Sequence, residues 1–148
     1  MTEKPQITLL GTGLMGAPMS RNLRAAGYPL TVWNRTRAKA DPLSEVGACV
    51  ATTAPDAVRG AEVVISMLSD GTATGAMIRD PEMQTALSDG TIWIDMSSIK
   101  PGEALAHGIL FRARVCHHLD APVSGGSNVA DAASLAFLVG GSADVFAK

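Results

Sequence analysis

Short apolar runs separated by polar or glycine-rich breaks run the length of the chain, and they predict its elements in turn. Ile7, Leu9 and Leu10 make a run of strand length that stops at Gly11. Leu14, Met19, Leu23 and Ala26 then fall near one face of a helix, which Gly27 closes. Leu30–Trp33, β-branched and aromatic, reads as a second strand. A helix is expected from Arg37 to about Glu45, capped by Thr36 and interrupted by Pro42. Ala48–Ala51 reads as a short third strand, and Thr53-Ala54-Pro55 opens a brief helix through Val58 that Gly60 ends. Ala61–Leu68, AEVVISML, has the apolar continuity of a strand buried on both faces. Beyond a loop at Ser69-Asp70-Gly71, helices are expected at Thr72–Ile78 and from Asp80-Pro81 to near Leu87, then a strand at Thr91–Asp95. Pro101 starts a helix reaching about Arg114. Val115–Leu119 and Leu135–Val139 read as further strands, the last ended by Gly140-Gly141.

The first break carries the most specific chemistry. Gly11, Gly13 and Gly16 have G-x-G-x-x-G spacing, placed after a strand and at the opening of a helix. Gly11 permits the sharp turn, Gly13 lets a pyrophosphate approach the backbone, and Gly16 lets the helix pack closely on the strand. The anion then meets the free N–H groups and positive dipole end of the helix. With strands and helices alternating almost throughout, the fold class expected is α/β: a Rossmann-type, doubly wound, mostly parallel sheet in one domain over residues 1–148. Ligands in such sheets bind beyond the carboxyl ends of the strands. Polar and glycine clusters stand there, at Gly11–Gly16, Asn34–Thr36, Ser69–Gly71, Ser97-Ser98 and Ser124–Ser127.

The end of the second strand bears on the choice of nicotinamide cofactor. An NAD site places a carboxylate about 20 residues past the glycines to accept from the ribose 2′-OH. This chain has Asn34, Arg35 and Thr36 instead. Nothing there repels a 2′-phosphate, and the Arg35 guanidinium can pair with the phosphate or stack on adenine. NADP is therefore expected over NAD.

The totals narrow the alternatives. At 148 residues, with 47% hydrophobic and 18% charged residues, the chain is globular and has room for one core. A formal net charge of −2 gives no electrostatic case for nucleic acid or an anionic membrane. Cys49 and Cys116 fit neither a disulfide framework nor metal-ligand spacing and read as buried thiols. MTEKPQ lacks the apolar core of a signal peptide, and no apolar run reaches membrane-spanning length, so a cytoplasmic protein is expected.

Four motifs in order, Gly11-Thr-Gly-Leu-Met-Gly16, Asn34-Arg-Thr36, Asp95-Met-Ser-Ser-Ile99 and above all Asp120-Ala-Pro-Val-Ser-Gly-Gly126, resemble the β-hydroxyacid dehydrogenase family. That family includes 3-hydroxyisobutyrate dehydrogenase, tartronate semialdehyde reductase and glyoxylate/succinic semialdehyde reductases, and the resemblance covers Ile7 to Val145. It implies hydride transfer between NADP(H) and a small 3-hydroxy acid or semialdehyde carboxylate. It further implies that Gly11, Thr12, Gly13, Leu14, Met15 and Gly16 hold the pyrophosphate, and Asn34, Arg35 and Thr36 the adenosine end. Leu68, Ser69 and Ala73 would line the nicotinamide side, and Ser98 would touch the nicotinamide ribose. Ser124, Gly125 and Gly126 would bind the substrate carboxylate and hydroxyl, a role that open glycine amides beside a serine hydroxyl also support on their own chemistry.

Two departures from the family stand out. Val129 and Ala133 occupy positions that are usually glycine there, so the loop after the substrate motif is expected to run differently. The family's acid/base lysine, and the all-helical domain that follows it and makes the oligomer, have no counterpart up to Lys148. Neither Lys148 nor Lys100 matches the lysine's motif, so no catalytic residue is assigned in this chain. Two other readings follow, a dinucleotide-binding module without turnover of its own and an imine reductase relative. TVWNRTRAKADPL resembles imine reductases, and DAPVSGG argues against them.

His107, His117 and His118 are not assigned to a metal. His117 and His118 are strand neighbours that point to opposite faces, and His107 has no partner at ligand spacing. Asp95 and Asp120 are expected to make structural hydrogen bonds to nearby loops. The seven methionines read as core filler, with Met15 and Met67 as cleft exceptions.

Overall fold

The structure, a computed structural model, describes residues 3–148. Its first half contains β1 (Ile7–Leu10), α1 (Gly16–Ala25), β2 (Leu30–Trp33), β3 (Cys49–Val50), α2 (Ala54–Val58), β4 (Val63–Ser66), α3 (Gly71–Arg79) and α4 (Pro81–Ala86). The second half contains β5 (Ile92–Asp95), α5 (Pro101–Arg112), β6 (His117–Asp120), β7 (Val123–Ser124), α6 (Ser127–Asp131), β8 (Ala136–Phe137), β9 (Gly140–Gly141) and α7 (Ala143–Phe146).

Seven strands form one sheet in the order β3-β2-β1-β4-β5-β6-β9, all parallel except β9, which runs antiparallel to β6. The expected doubly wound α/β architecture is therefore present. The order reverses at β1, which pairs with β2 on one side (Ile7 opposite Leu30) and β4 on the other (Ile7 opposite Val63). The carboxyl ends of β1 and β4 thus frame a crevice at the point where such sheets bind ligands.

Each face of the sheet has its own core. On one, Leu10, Val64 and Trp93 pack with Val58, Ile78, Met83 and Phe111 from α2 to α5. On the other, Ile7, Leu9, Val32 and Ile65 pack with Met19 of α1, Leu43 and Met96. The central strands are covered on both sides, which accounts for their continuous apolar sequence. Thr8, fully buried in mid-strand, donates its hydroxyl to the Ala57 carbonyl (2.5 Å) and so ties α2 to β1.

Several expectations are corrected. The helix expected over 37–45 is a pair of 3₁₀ turns, Arg37–Lys39 and Asp41–Val46, with Pro42 at the start of the second, where a missing N–H costs nothing. Thr36 precedes the first turn without a capping hydrogen bond. Helix α3 starts one residue earlier than expected because Asp70 caps it, accepting from the Ala73 N–H at 2.8 Å. The strand expected at Leu135–Val139 shrinks to β8, which leaves the main sheet to pair with β7. Gly140-Gly141, expected to end it, is itself the edge strand β9. Cys49 is exposed rather than buried, while Cys116 is buried as expected.

Among the described residues no helix is long and apolar enough to cross a membrane. Phe137, Leu138, Val139 and Phe146, from β8 to α7, leave apolar side chains exposed, Leu138 at 70% and Phe146 at 65%. This surface predicts concentration-dependent self-association in sedimentation velocity, weakened by Leu138→Ser. A single monomer boundary at every concentration would contradict it.

Candidate dinucleotide site

Three glycines build the loop after β1 by three different constraints. Gly11 has φ of 101°, which side-chain-bearing residues rarely adopt, and a Cβ there would lie 2.3 Å from the Met67 carbonyl oxygen. At Gly16 a Cβ would stand 1.8 Å from the Gly11 carbonyl oxygen, so α1 starts directly on the strand end. A Cβ on Gly13 would meet nothing within 4 Å. Gly13 is thus not needed for packing, and the open space above it is where a pyrophosphate would approach. The N–H groups of Gly13, Leu14 and Met15 have no acceptor among the described residues, and Leu14 is 80% exposed. The loop therefore fits a dinucleotide pyrophosphate.

Thr12 and Asn34 brace this loop. The Thr12 N–H donates to Asn34 Oδ1 (3.0 Å) and the buried Thr12 hydroxyl to the Lys39 carbonyl (3.0 Å). Asn34 Nδ2 donates to the Thr36 carbonyl (3.0 Å), which folds the end of β2 toward the glycines. Arg35 is exposed, and its guanidinium has no ion-pair partner among the described residues. Arg37, two residues on, is held by Asp41 at 3.1 Å. Arg35 and Lys39 are thus exposed cations at this corner without an ion-pair partner among the described residues.

Across the crevice, Leu68 and Ser69 follow β4, and Ser98 follows β5. The Leu68 N–H donates to Ser97 Oγ (2.9 Å), while Ser69 and Ser98 are exposed. Ala73 is half-buried in the first turn of α3, under the Asp70 cap. The motif alone singles out Ser98, yet the buried neighbour Ser97 holds the two loops together.

Ser124, Gly125 and Gly126 are all exposed, at the end of β7 and the start of α6. Gly125 has φ of 131°, and a Cβ there would crowd Val129 and Leu135 at 2.9–3.0 Å. Ala133 has φ of 53°, making it the one non-glycine residue with positive φ among those described. Ala133 thus adopts the left-handed conformation that suits glycine, at the strain cost of an alanine. Arg21 and Asn22 of α1 anchor this segment through Asp131 (2.9 Å) and the Ala130 carbonyl (2.6 Å).

Beside the β4–β5 end of the crevice lies a buried polar cluster whose extent is not evident from the motifs. Asp95 accepts from Ser66 Oγ (3.0 Å) and the Ser97 N–H (3.1 Å) on Oδ1, the structural bonding expected of it. Trp93 Nε1 donates to Ser66 Oγ at 2.9 Å. His107, expected to have no partner at metal-ligand spacing, is buried with Nδ1 3.6 Å from Asp95 Oδ2. His118 stacks on Phe111 with ring centroids 5.3 Å apart, and burial pushes its pKa down to about 4 despite the nearby Asp95 charge. Burial and the same charge push Asp120 up from the usual carboxylate range. His117, on the opposite face from His118, lies 3.2 Å from Lys148 Nζ. Among the described residues no group of three or more His, Cys, Asp or Glu could hold a metal ion.

A glycine loop at the switch point of a doubly wound sheet, open above Gly13, defines a dinucleotide-binding domain. The chain belongs to the family described as the NAD binding domain of 6-phosphogluconate dehydrogenase, which it matches over residues 6–148. It is 42% identical over 144 residues to an NAD-dependent L-serine dehydrogenase of Pseudomonas aeruginosa, covering 97% of this chain and 48% of that protein. It is 32% identical over 142 residues to glyoxylate/succinic semialdehyde reductase 1 of Arabidopsis thaliana, covering 95% and 49%. Its fold matches a Mycobacterium tuberculosis 3-hydroxyisobutyrate dehydrogenase solved with L-serine, with a TM-score of 0.93 and 37% identity over 97% of this chain and 49% of that one. An imine reductase variant from Myxococcus stipitatus in complex with NAD+ has a TM-score of 0.91 at 28% identity, over 97% and 49%. These relatives bear out the resemblance to β-hydroxyacid dehydrogenases. The chain spans about half the length of the curated relatives it matches.

The geometry separates the roles of two glycines. Gly13→Ala, which has room for its methyl, is expected to keep the wild-type melting temperature and weaken dinucleotide binding at least about tenfold. Gly16→Ala drives a methyl into backbone and is expected to cost about 2–4 kcal/mol of stability. Thermal melts alongside calorimetric titrations check both.

His118 makes a second prediction. Its folded-state pKa lies below the 6.5 of the free side chain, so between about 6.5 and 4 the unfolded chain binds more protons. Stability is therefore expected to fall as pH drops through that window, by up to about 3 kcal/mol from this residue. Urea unfolding at stepped pH should show the slope, and His118→Phe should flatten it.

Proposed function

We propose that this chain is the NADP(H)-binding domain of an oxidoreductase that interconverts a small 3-hydroxy acid and the corresponding semialdehyde carboxylate. The observation that carries the reading is the open face above Gly13, between a helix start pressed onto Gly11 and the free Arg35 guanidinium. When bound, the cofactor supplies the nicotinamide carbon that accepts or donates hydride. The chain's own residues bind and orient. In this reading the Gly13–Met15 amides take the pyrophosphate, and Arg35, with Thr36, takes the adenosine 2′-phosphate. Ser98 and the Leu68–Ser69 turn hold the nicotinamide ribose, while Ser124–Gly126 present a hydroxyl and open amides to the substrate carboxylate. The names of the serine and 3-hydroxyisobutyrate dehydrogenases among the relatives support a 3-hydroxy acid as the substrate class.

The general acid/base belongs, on this reading, to a lysine in polypeptide outside these 148 residues, within an all-helical second domain through which the whole enzyme forms a homo-oligomer. The location proposed is cytoplasmic. The runner-up is a dinucleotide-binding module without turnover of its own.

Paired calorimetric titration of the chain with NADPH and NADH tests the cofactor assignment. Tighter NADPH binding is expected, by about tenfold or more from a charge-assisted phosphate contact, with Arg35→Ala abolishing the preference. Equal affinities would show that Arg35 does not read the 2′-phosphate.

A further inference from the structure

Four buried polar atoms, Asp95 Oδ2, His107 Nδ1, His118 Nε2 and Asp120 Oδ1, have no hydrogen-bond partner among the described residues. Strand register explains how they come together. Asp95 lies opposite Asp120 and Trp93 opposite His118, so all four side chains leave the sheet on one face. Helix α5 packs there, with His107 against Asp95 and Phe111 against His118.

Within this group, among the described residues, Asp95 is the one that hydrogen bonds link to the crevice. Its Oδ1 accepts from Ser66 Oγ and the Ser97 N–H, and Ser97 Oγ in turn accepts from the Leu68 N–H (2.9 Å) and lies 3.4 Å from Thr74 Oγ1. Ser66, Thr74, Asp95 and Ser97 are all fully buried, so water cannot replace a lost partner without opening the core. The chain of bonds joins the ends of β4 and β5 to the start of α3, the three segments that line the nicotinamide side. The pyrophosphate and adenosine side hangs on other bonds: Gly11 to Trp33, Thr12 to Asn34 and Thr12 to Lys39.

A carboxylate held at one oxygen can rotate, and what fixes Asp95 is the environment of Oδ2. From β6, Asp120 places a second carboxyl group on the same face. From α5, the His107 ring faces it with Nδ1 at 3.6 Å, longer than a hydrogen bond. We propose that His107 is a positioning residue for the nicotinamide end of the cofactor site, acting through Asp95 and Ser97 on the Leu68–Ser69 turn and Ser98. The proposal rests on the dinucleotide reading above. It goes beyond it by assigning a role to a helix residue that does not line the cofactor crevice.

The test compares two ligands on the same chain: NADPH or NADH, whichever binds more tightly, and the corresponding phospho-ADP-ribose or ADP-ribose, which lacks nicotinamide. His107→Leu is expected to weaken the complete dinucleotide about fivefold and leave the nicotinamide-free fragment within about twofold. His107→Asn, whose amide nitrogen takes the place of Nδ1, should restore the difference. Ser97→Ala, which leaves the Asp95–His107 pair intact, should reproduce the selective loss even where the leucine variant fails to fold. Equal losses for both ligands, or no loss for either, would overturn the proposal and leave His107 a packing residue. A wild-type chain that binds neither ligand would overturn the dinucleotide reading, and the proposal with it.

Discussion

Backbone meets backbone where β1 turns into α1, and the rest of the site depends on that approach. Gly16 sits against the carbonyl of Gly11, and Gly11 sits against the carbonyl of Met67 at the end of β4. No side chain fits at either point. The contact brings the amino end of a helix to the place where the sheet order reverses, and so aims a row of free N–H groups into the crevice between β1 and β4. Everything that reads the ends of a dinucleotide is then measured from this fixed centre. Asn34 ties β2 to it from one side, and Ser97 ties β4 to β5 on the other.

The two sides are stabilised by different physics. On the α1 face the packing is apolar, with a few polar anchors such as Arg21 and Asn22 holding α6. On the α5 face the carboxyl ends of β5 and β6 carry a polar group into the core beside Trp93 and Phe111. Burying two carboxyl groups and two imidazoles together costs free energy unless each finds a partner. The resulting asymmetry makes the β4–β5 half of the crevice the more delicately balanced half.

The sequence is legible where a constraint is local. Gly11, Gly13 and Gly16 act within six residues of chain, and the apolar runs of β1, β4 and β5 report burial on both faces. Legibility fails where a distant partner decides. Gly140-Gly141 reads as a terminator by propensity, yet β6 recruits it as an edge strand and Leu119 closes over the space where a side chain would stand. His107 reads only as a helix residue without a metal-ligand partner, because Asp95 belongs to another element and meets it only once α5 packs on β5. Thr12 and Ser97 sit inside recognisable motifs, and only the structure separates the residues that brace a loop from those left open to a ligand.

The position of β1 also has a consequence for how the chain is made. It is a central strand of the finished sheet, and its partner β4 begins 56 residues later in the chain, Ile7 pairing with Val63. At translation rates of roughly 5–20 residues per second, β1 waits about 3–11 seconds after leaving the ribosome with one edge unpaired. During that interval the apolar β1 segment is open to improper strand pairing, and α1 and β2, which emerge sooner, are the parts of the chain available to shelter it.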